Sequence, residues 1–221
     1  ISEPDSLILN FLISDYNGYN ISCQGGQDAN VDLIILGGTS PYNISFDTSF
    51  SSYNAFVNNE LDTSNIPLSS SGTYLFSITD SNGCMFTDSL ILNEPTLLSS
   101  SVQKINDASC FDVCDGSMFV NANGGTSPYS FIWNNDSIIT SDTVTNLCAS
   151  ANSVLVIDAN GCLSNSQDTI NQPHEIQISL DSITNNTING GTSGSIFITL
   201  IDTNITVQYN WVGPNGYTST N

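Results

Sequence analysis

The sequence predicts an all-β protein made of tandem antiparallel β-sandwich modules, and three observations lead to this prediction. Gly-Gly-Thr-Ser-Pro-Tyr at Gly37–Tyr42 returns at Gly124–Tyr129, and Asp-x-Asn-Gly-Cys at Asp80–Cys84 returns at Asp158–Cys162. The period of roughly 80 residues is too long for a solenoid repeat and suits a small sandwich. No stretch keeps a helical period for three turns, and short apolar segments alternate with Gly, Pro, Asn and Asp turns.

The repeats divide the chain into an expected module 1 (residues 1–94, extending into the preceding linker), module 2 (95–173) and an incomplete third module (174–221). Asn93-Glu94-Pro95 and Asn171-Gln172-Pro173 mark the two boundaries as short, stiff linkers, since proline ends a strand. Gly194–Ile198 resembles Gly116–Val120 and therefore begins another copy. The strand number and spacing favour an Ig-like sandwich for each module.

The strands follow from alternating apolar residues between turn signals. Those of module 1 are predicted at Val31–Leu36, Tyr42–Phe46, Tyr74–Thr79 and Met85–Leu92. Those of module 2 are predicted at Ser117–Ala122, Tyr129–Trp133, Asp142–Leu147, Ser153–Ile157 and Leu163–Ile170. Asn82-Gly83 and Asn160-Gly161 predict type I′ hairpin turns, and the aspartate before each is expected to bind the N–H groups of its own turn.

The charge composition excludes several classes of partner. The chain of 221 residues carries a formal net charge of −20 with Lys104 as its one cation. Nucleic-acid binding needs a Lys/Arg surface, so none is expected, and an anionic bilayer is disfavoured for the same reason. No apolar run reaches the roughly 18 residues of a spanning helix, so we expect no direct membrane insertion. The chain begins and stops in mid-pattern, and we expect it to be a piece of a longer protein.

The residues of enzyme chemistry are scarce, and we expect no enzyme. His174 is the one histidine and follows Pro173 in a linker. With one histidine and one lysine there is no Ser-His-Asp triad and no His-Glu-x-x-His zinc motif. Five aromatic residues are candidates for stacking on sugar rings, although a repeated tryptophan in a sandwich strand is usually core. They are Tyr53, Phe56, Trp133, Trp211 and Tyr217.

The order of the motifs resembles the SprB repeat of gliding-motility adhesins and related cell-surface proteins of Bacteroidetes. The first copy reads Cys23, Gly37–Tyr42, Gly72-Thr73-Tyr74, Thr79–Cys84 and Glu94-Pro95. The second reads Cys110, Gly124–Tyr129, Asp158–Cys162 and Gln172-Pro173, with Ala151-Asn152-Ser153 in place of Gly-Thr-Tyr. The second copy also adds Cys114 and Cys148, which is similar to a four-cysteine form of the repeat.

The resemblance implies a β-sandwich repeat of a large adhesin, exported by the type IX pathway across the outer membrane and displayed outside the bacterial cell. Its expected role is an extended tether and a multivalent weak adhesive surface in attachment or gliding motility. The expected partners are surface polysaccharide or an abiotic surface, and motility or secretion machinery of the outer membrane through other parts of the protein. The alternative is a glycan-binding or accessory module of a secreted Bacteroidetes enzyme.

The cysteine positions predict disulfides, which suit an oxidising compartment. Cys23 is equivalent to Cys110 and Cys84 to Cys162, and each module holds an even number of cysteines. We expect Cys23–Cys84, Cys110–Cys162 and Cys114–Cys148, although four cysteines allow three pairings in module 2. A zinc site of those four cysteines is the alternative, but it lacks the second close pair of a zinc ribbon.

Two further kinds of site are expected from short patterns. Asp28, Asp80, Asp115 and Asp158 are weak calcium candidates, and turn formation is the simpler interpretation because no EF-hand spacing is present. No other cofactor is expected. Asp-Ser/Thr followed by an aliphatic residue resembles the O-glycan acceptor motif of secreted Bacteroidetes proteins. The candidate acceptors are Ser6, Ser89, Ser137, Thr143, Thr169 and Ser182.

Overall fold

The structure is a computed structural model of the 221-residue chain. It describes residues 5–47, 52–57, 64–66, 68–134, 137–139, 141–186, 190–191, 194–201, 206–213 and 218–219. For 52–57, 64–66 and 137–139 the backbone alone is described. The described residues contain strands and turns and no helix, which confirms the all-β prediction.

The strands form two groups of seven and a shorter C-terminal set. The first group is β1 (Ile8–Ile13), β2 (Val31–Leu36), β3 (Tyr42–Asp47), β4 (Ser52–Val57), β5 (Ser64–Ile66), β6 (Gly72–Thr79) and β7 (Met85–Leu92). The second is β8 (Ser99–Asn106), β9 (Gly116–Asn123), β10 (Ser130–Trp133), β11 (Ser137–Ile139), β12 (Thr143–Leu147), β13 (Ala151–Ile157) and β14 (Leu163–Thr169). The last set is β15 (Ile178–Thr184), β16 (Ser195–Leu200), β17 (Trp211–Val212) and β18 (Thr218–Ser219).

The two groups of seven have the same topology. In the first, one sheet has the order β1-β2-β5 and the other β4-β3-β6-β7. In the second, the orders are β8-β9-β12 and β11-β10-β13-β14. All neighbouring strands are antiparallel, and three strands face four in the arrangement of an Ig-like sandwich. The chain is therefore a tandem of two Ig-like antiparallel sandwiches, here called the first sandwich (β1–β7) and the second sandwich (β8–β14).

Each sandwich has its own apolar core, because alternate residues of each strand point inward. In the first, Val31, Leu33 and Ile35 of β2 are buried, and the core as a whole draws on residues 7–92. In the second, Met118 and Val120 of β9 are buried, and the core draws on residues 98–170. The half-buried side chain of Cys23 packs against this second core although it belongs to the first sandwich.

The C-terminal strands form two hairpins. Strand β15 pairs with β16, and β17 pairs with β18, both antiparallel. Every residue of β15 is exposed, including Leu180 and Ile183. Among the described residues, no helix is long and apolar enough to cross a bilayer.

The Gly-Gly-Thr-Ser-Pro-Tyr motif is the turn between the second and third strands of each sandwich. The hydroxyl of Tyr129 donates to the carbonyl oxygen of Gly124 over 2.6 Å, and Tyr42 does the same to Gly37 over 2.8 Å. Both glycines have φ near 70°, at 70° for Gly37 and 76° for Gly124. The prolines of the two motifs follow cis peptide bonds. The same six residues therefore form the same turn in both sandwiches.

Candidate functional site: the junction between the sandwiches

The Asp-x-Asn-Gly-Cys motif forms the turn between the sixth and seventh strands, and its aspartate organises it. Asp158 is buried, and its Oδ1 accepts the N–H groups of Asn160 and Cys162 over 2.9 and 2.8 Å. Its Oδ2 accepts the N–H of Thr126 over 2.8 Å. The carboxylate therefore ties this turn to the neighbouring Gly-Gly turn at the same end of the second sandwich.

The first sandwich repeats this arrangement. Asp80 accepts the N–H groups of Asn82 and Cys84 over 2.9 and 2.8 Å, and that of Thr39 over 3.0 Å. Both turns show the predicted interaction, in which the aspartate accepts the N–H groups of its own turn. The predicted type I′ geometry is wrong, because Gly83 has a positive φ of 83° but Asn82 does not. Type I′ needs both central residues at positive φ, whereas here the asparagine N–H turns toward the aspartate.

The loop that carries Cys23 lies at the opposite end of the first sandwich, where the chain leaves for the second. Asn93, just after β7, exchanges hydrogen bonds with Asn20: each backbone N–H donates to the other side-chain oxygen over 3.0 Å. Glu94 accepts the N–H of Gly25 over 2.8 Å. The linker residues therefore hold the Cys23 loop directly against the start of the next sandwich.

A disulfide joins the two sandwiches at this point. Cys23 of the first is bonded to Cys162 of the second, with their Cα atoms 5.7 Å apart and a sequence separation of 139. Cys162 is 9% exposed, and its sulfur lies 3.3 Å from the carbonyl oxygen of Ser22. The junction is thus covalently closed, with Cys162 buried and Cys23 half-buried.

The side chain of Asn160 adds polar contacts beside the disulfide. Its Nδ2 lies 3.1 Å from the carbonyl oxygen of Ser22 and 3.2 Å from that of Tyr16, and it also donates to Thr126 Oγ1 over 3.1 Å. Its Oδ1 accepts the side-chain N–H of Asn17 over 2.6 Å. One asparagine therefore contacts two segments of the first sandwich.

These bonds correct the expected cysteine pairing. The expected Cys23–Cys84 and Cys110–Cys162 bonds are absent, because Cys23 and Cys162 bond to each other, and Cys84 and Cys110 are unpaired and exposed. The expected Cys114–Cys148 pair is bonded inside the second sandwich. The four cysteines of that sandwich do not come together, which also removes the zinc alternative.

The number of strands between two cysteines explains the correction. In an antiparallel sandwich each strand carries the chain from one end to the other. Two cysteines with an odd number of strands between them therefore lie at opposite ends, and two with an even number lie at the same end. Five strands, β2–β6, lie between Cys23 and Cys84, and five, β9–β13, between Cys110 and Cys162. Those thiols lie a strand length apart, about 25 Å, whereas a disulfide needs Cα atoms within about 7 Å. Four strands lie between Cys114 and Cys148, which share one end.

Three carboxyls of these loops have lowered pKa values. Burial alone raises the pKa of Asp80, but the N–H groups of Cys84, Thr39 and Asn82 outweigh it and hold the pKa below its usual range. Hydrogen bonds from Ser109 lower the pKa of Asp115. The ammonium of Lys104, 2.8 Å away, and the N–H of Asn171 lower the pKa of Asp107.

Acid is therefore expected to destabilise the protein through these groups. A folded pKa below the unfolded value of about 3.9 means that the unfolded chain binds protons first. The stability from these carboxyls is present above that value and is lost as pH falls through the folded pKa values. We expect urea denaturation between about pH 5 and pH 2 to show this loss, and Asp80→Asn to flatten it.

Salt separates the causes of that pH dependence. The pH-dependent stability that Asp80 contributes arises from neutral N–H donors and should persist in 1 M NaCl, where the Debye length is about 3 Å. The pH-dependent stability that Asp107 contributes depends partly on the Lys104 charge and should become smaller at that salt concentration. An Asp80→Asn curve parallel to that of the unchanged protein would contradict this assignment.

The four aspartates named as calcium candidates accept hydrogen bonds from backbone N–H groups of turns and loops. Asp80 and Asp158 accept three backbone N–H groups each, as described above. Asp28 accepts the N–H of Ser22 over 3.1 Å, and Asp115 that of Ser109 over 2.8 Å. Within the described part of the chain, no three His, Cys, Asp or Glu side chains converge on one point. The calcium hypothesis for these residues gains no support from this geometry.

The glycosylation candidates stay a prediction, and most have accessible positions. Ser6, Ser89, Thr169 and Ser182 are exposed, whereas Thr143 is half-buried. The side chain of Ser137 lies outside the described part of the chain.

The aromatic candidates divide between core and surface. Trp133 is 2% exposed and belongs to the second core, as the repeated tryptophan indicates. Trp211 is half-buried in β17. The side chains of Tyr53, Phe56 and Tyr217 lie outside the described part of the chain. His174 is exposed between the second sandwich and β15.

The fold and junction define a tandem of Ig-like modules with a disulfide between them, and a family comparison agrees with the sequence resemblance. Residues 102–137 match the SprB repeat family, which confirms that resemblance over β8–β11 of the second sandwich. No curated protein sequence matches the chain.

Solved structures with a similar arrangement are distant in sequence. The chain is similar to part of a 1.5-MDa bacterial ice-binding adhesin, with a TM-score of 0.47, 13% identity, and coverage of 97% of this chain and 95% of that one. It is also similar to a C-terminal fragment of intimin, with a TM-score of 0.41, 13% identity, and coverage of 81% and 67%. For a Dscam structure the TM-score is 0.29 at 9% identity, covering 69% and 42%.

Proposed function

We propose that this chain is a repeat segment of a large exported cell-surface adhesin and that it works there as an extended, load-bearing tether. The SprB repeat match supports an extracellular, adhesin-type repeat, and it points to a structural rather than a catalytic module. The resemblance extends this proposal in three ways. It adds export by the type IX pathway, a role in gliding motility, and weak multivalent contact with surface polysaccharide or an abiotic surface. The module boundaries at 94/95 and 173/174 belong to it as well.

The observation that carries the proposal is the Cys23–Cys162 bond across the junction. Two sandwiches on a short linker normally move relative to each other. Here the linker holds the Cys23 loop, the loop is bonded to the next sandwich, and Asn160 adds contacts beside the bond. A fixed junction lets each sandwich add reach, and the net charge of −20 keeps neighbouring tethers apart by repulsion.

The disulfide also changes the path of a pulling force. When the chain is pulled from its two ends, force passes from Cys23 to Cys162 through the S–S bond. The segment between them, residues 24–161, contains β2 to β13 and then carries no load. A tether of this kind keeps its length under load, which suits an oxidising extracellular compartment.

Single-molecule pulling from the two ends tests the tether. We expect the oxidised chain to release a contour length shorter than that of the reduced chain by on the order of 500 Å, since an extended residue spans up to about 3.6 Å. Cys23→Ser with Cys162→Ser should release, under oxidising conditions, the full length less the loop that Cys114–Cys148 still closes, a sequence separation of 34 residues. Cys84→Ser with Cys110→Ser is the matched control and should behave like the unchanged chain.

Two outcomes would count against the tether. An oxidised chain that extends as far as the Cys23→Ser, Cys162→Ser variant would show that the junction bears no load. Saturable binding of one soluble oligosaccharide on a glycan array would favour the alternative, a glycan-binding module of a secreted enzyme.

A further inference from the structure

We propose that Asn123 is a site of spontaneous modification, at which the backbone nitrogen of Gly124 closes on the side-chain amide and converts the asparagine to aspartate or isoaspartate. An asparagine followed by glycine favours this ring closure, because glycine has no side chain to shield its backbone nitrogen. The proposal is independent of the tether, which depends on the Cys23–Cys162 bond.

The hydrogen bonding at Asn123 brings the two reacting groups together. The N–H of Gly124 donates to Oδ1 of Asn123 over 2.9 Å, so the nitrogen that attacks lies beside the carbonyl group that it attacks. Asn123 is the last residue of β9 and is exposed, so water and hydroxide reach it. The turn after β9 therefore holds the attacking nitrogen and its target side by side in contact with solvent.

In the other Asn-Gly pairs of the described residues, the glycine nitrogen is held away from the asparagine side chain. The glycine N–H of each pair donates to an oxygen of the aspartate three residues earlier, over 2.7, 3.0 and 3.1 Å in chain order. These pairs are Asn17-Gly18, Asn82-Gly83 and Asn160-Gly161. Asn189 and Asn215 also precede glycines, but they lie outside the described residues.

The asparagine side chains of these three pairs are also bonded elsewhere. Asn82 Nδ2 donates to Thr39 Oγ1 over 2.9 Å. Asn17 Nδ2 donates to Asn160 Oδ1 over 2.6 Å, and Asn160 Nδ2 contacts the backbone of the first sandwich as described above. Both reacting groups of these pairs must leave their partners before they meet, whereas those of Asn123 are already neighbours.

Asn160 is a matched comparison for Asn123 within the same chain. Ala122-Asn123-Gly124 and Ala159-Asn160-Gly161 have the same three residues in the same order. A difference in reactivity between the two asparagines in the folded chain therefore comes from the fold and not from these neighbours. The first sandwich has Leu36 at the position equivalent to Asn123, so the proposed site belongs to the second sandwich alone.

The reaction has two steps and uses water as its co-reactant. The Gly124 nitrogen attacks Cγ of Asn123, its proton passes through water to Nδ2, and ammonia leaves as the new N–Cγ bond closes a succinimide ring. Water then opens the ring at either carbonyl carbon. Cleavage of the new N–Cγ bond gives aspartate, and cleavage between the nitrogen and the backbone carbonyl carbon of Asn123 gives isoaspartate. Nothing is oxidised or reduced.

Isoaspartate lengthens the main chain by one carbon atom directly before Gly124, where the turn is tightly packed. A Cβ on Gly124 would lie 2.0 Å from the carbonyl oxygen of Leu97. The carbonyl oxygen of Gly124 accepts the hydroxyl of Tyr129, and the next N–H, of Gly125, donates to Thr96 over 2.8 Å. Isoaspartate should therefore destabilise the second sandwich, whereas aspartate changes only the charge of an exposed side chain.

The test incubates the full oxidised chain at mildly alkaline pH and follows each asparagine by peptide mass mapping and isoaspartate detection. We expect Asn123 to react at least roughly tenfold faster than Asn160, since each hydrogen bond that must first open contributes about a factor of five. In urea with the disulfides reduced, the two identical tripeptides should react at equal rates. Equal rates at Asn123 and Asn160 in the folded chain would overturn the proposal.

Two variants separate the modification from its effect on the fold. Asn123→Gln keeps an amide at the same exposed position but requires a larger ring, so it should stay unmodified and keep its urea midpoint during incubation. Asn123→Asp, measured before incubation, adds the charge without the extra backbone carbon and should unfold at the same urea concentration as the unchanged chain. Incubated chains that carry isoaspartate at Asn123 and unfold like Asn123→Gln would contradict the predicted strain in the turn.

Discussion

Replacing Cys23 and Cys162 together by serine is expected to cost the largest single amount of stability in this chain, up to about 5 kcal/mol. The estimate follows from the loop of 139 residues that the bond closes, because a longer loop restricts the unfolded chain more. In the variant the two sandwiches should also unfold separately, because their cores are distinct and the disulfide that joins them is absent.

Differential scanning calorimetry under oxidising conditions measures this effect. We expect the variant to unfold at lower temperature and in two transitions, one for each sandwich. Cys84→Ser with Cys110→Ser changes the same number of cysteines without breaking a bond, and it should leave the thermogram of the monomer unchanged. Identical thermograms for both double variants would mean that the sandwiches are not coupled through Cys23 and Cys162.

Gly124→Ala is expected to destabilise the second sandwich severely, by roughly 3 kcal/mol or more, through two effects. A Cβ at Gly124 would overlap the carbonyl oxygen of Leu97, which is backbone and has little room to move. The φ of 76° at Gly124 adds the cost of a left-handed conformation, about 1–2 kcal/mol for an alanine. Together they place this change among the exceptional backbone substitutions.

Gly161→Ala isolates the second of these effects. Gly161 has a φ of 85°, but a Cβ there would have no atom within 4 Å. It should therefore cost only about 1–2 kcal/mol in urea denaturation of the oxidised chain. Equal losses for Gly124→Ala and Gly161→Ala would show that the overlap with Leu97 is relieved by a backbone shift.

Much of the fold could be predicted because it depends on local chemistry. Apolar residues alternating along Val31–Leu36 and Tyr42–Phe46 predict strands with one buried face, and both are strands. The aspartates of the Asn-Gly-Cys turns bind their own N–H groups, as expected of residues that favour such bonds. The turn type was missed because the N–H of Gly83 bonds the carbonyl oxygen of Asp80, so that Ser81 and Asn82, rather than Asn82 and Gly83, are the central residues of the turn.

The repeated motifs determined by themselves that Cys23 matches Cys110 and that Cys84 matches Cys162, since equivalence is a property of the sequence. Which thiols meet was decided only by the tertiary structure. A disulfide requires two Cα atoms within a few ångströms, and five intervening strands place Cys23 and Cys84 at opposite ends of their sandwich. The bond forms instead where the end of one sandwich meets the beginning of the next, so the partner of Cys23 lies 139 residues away.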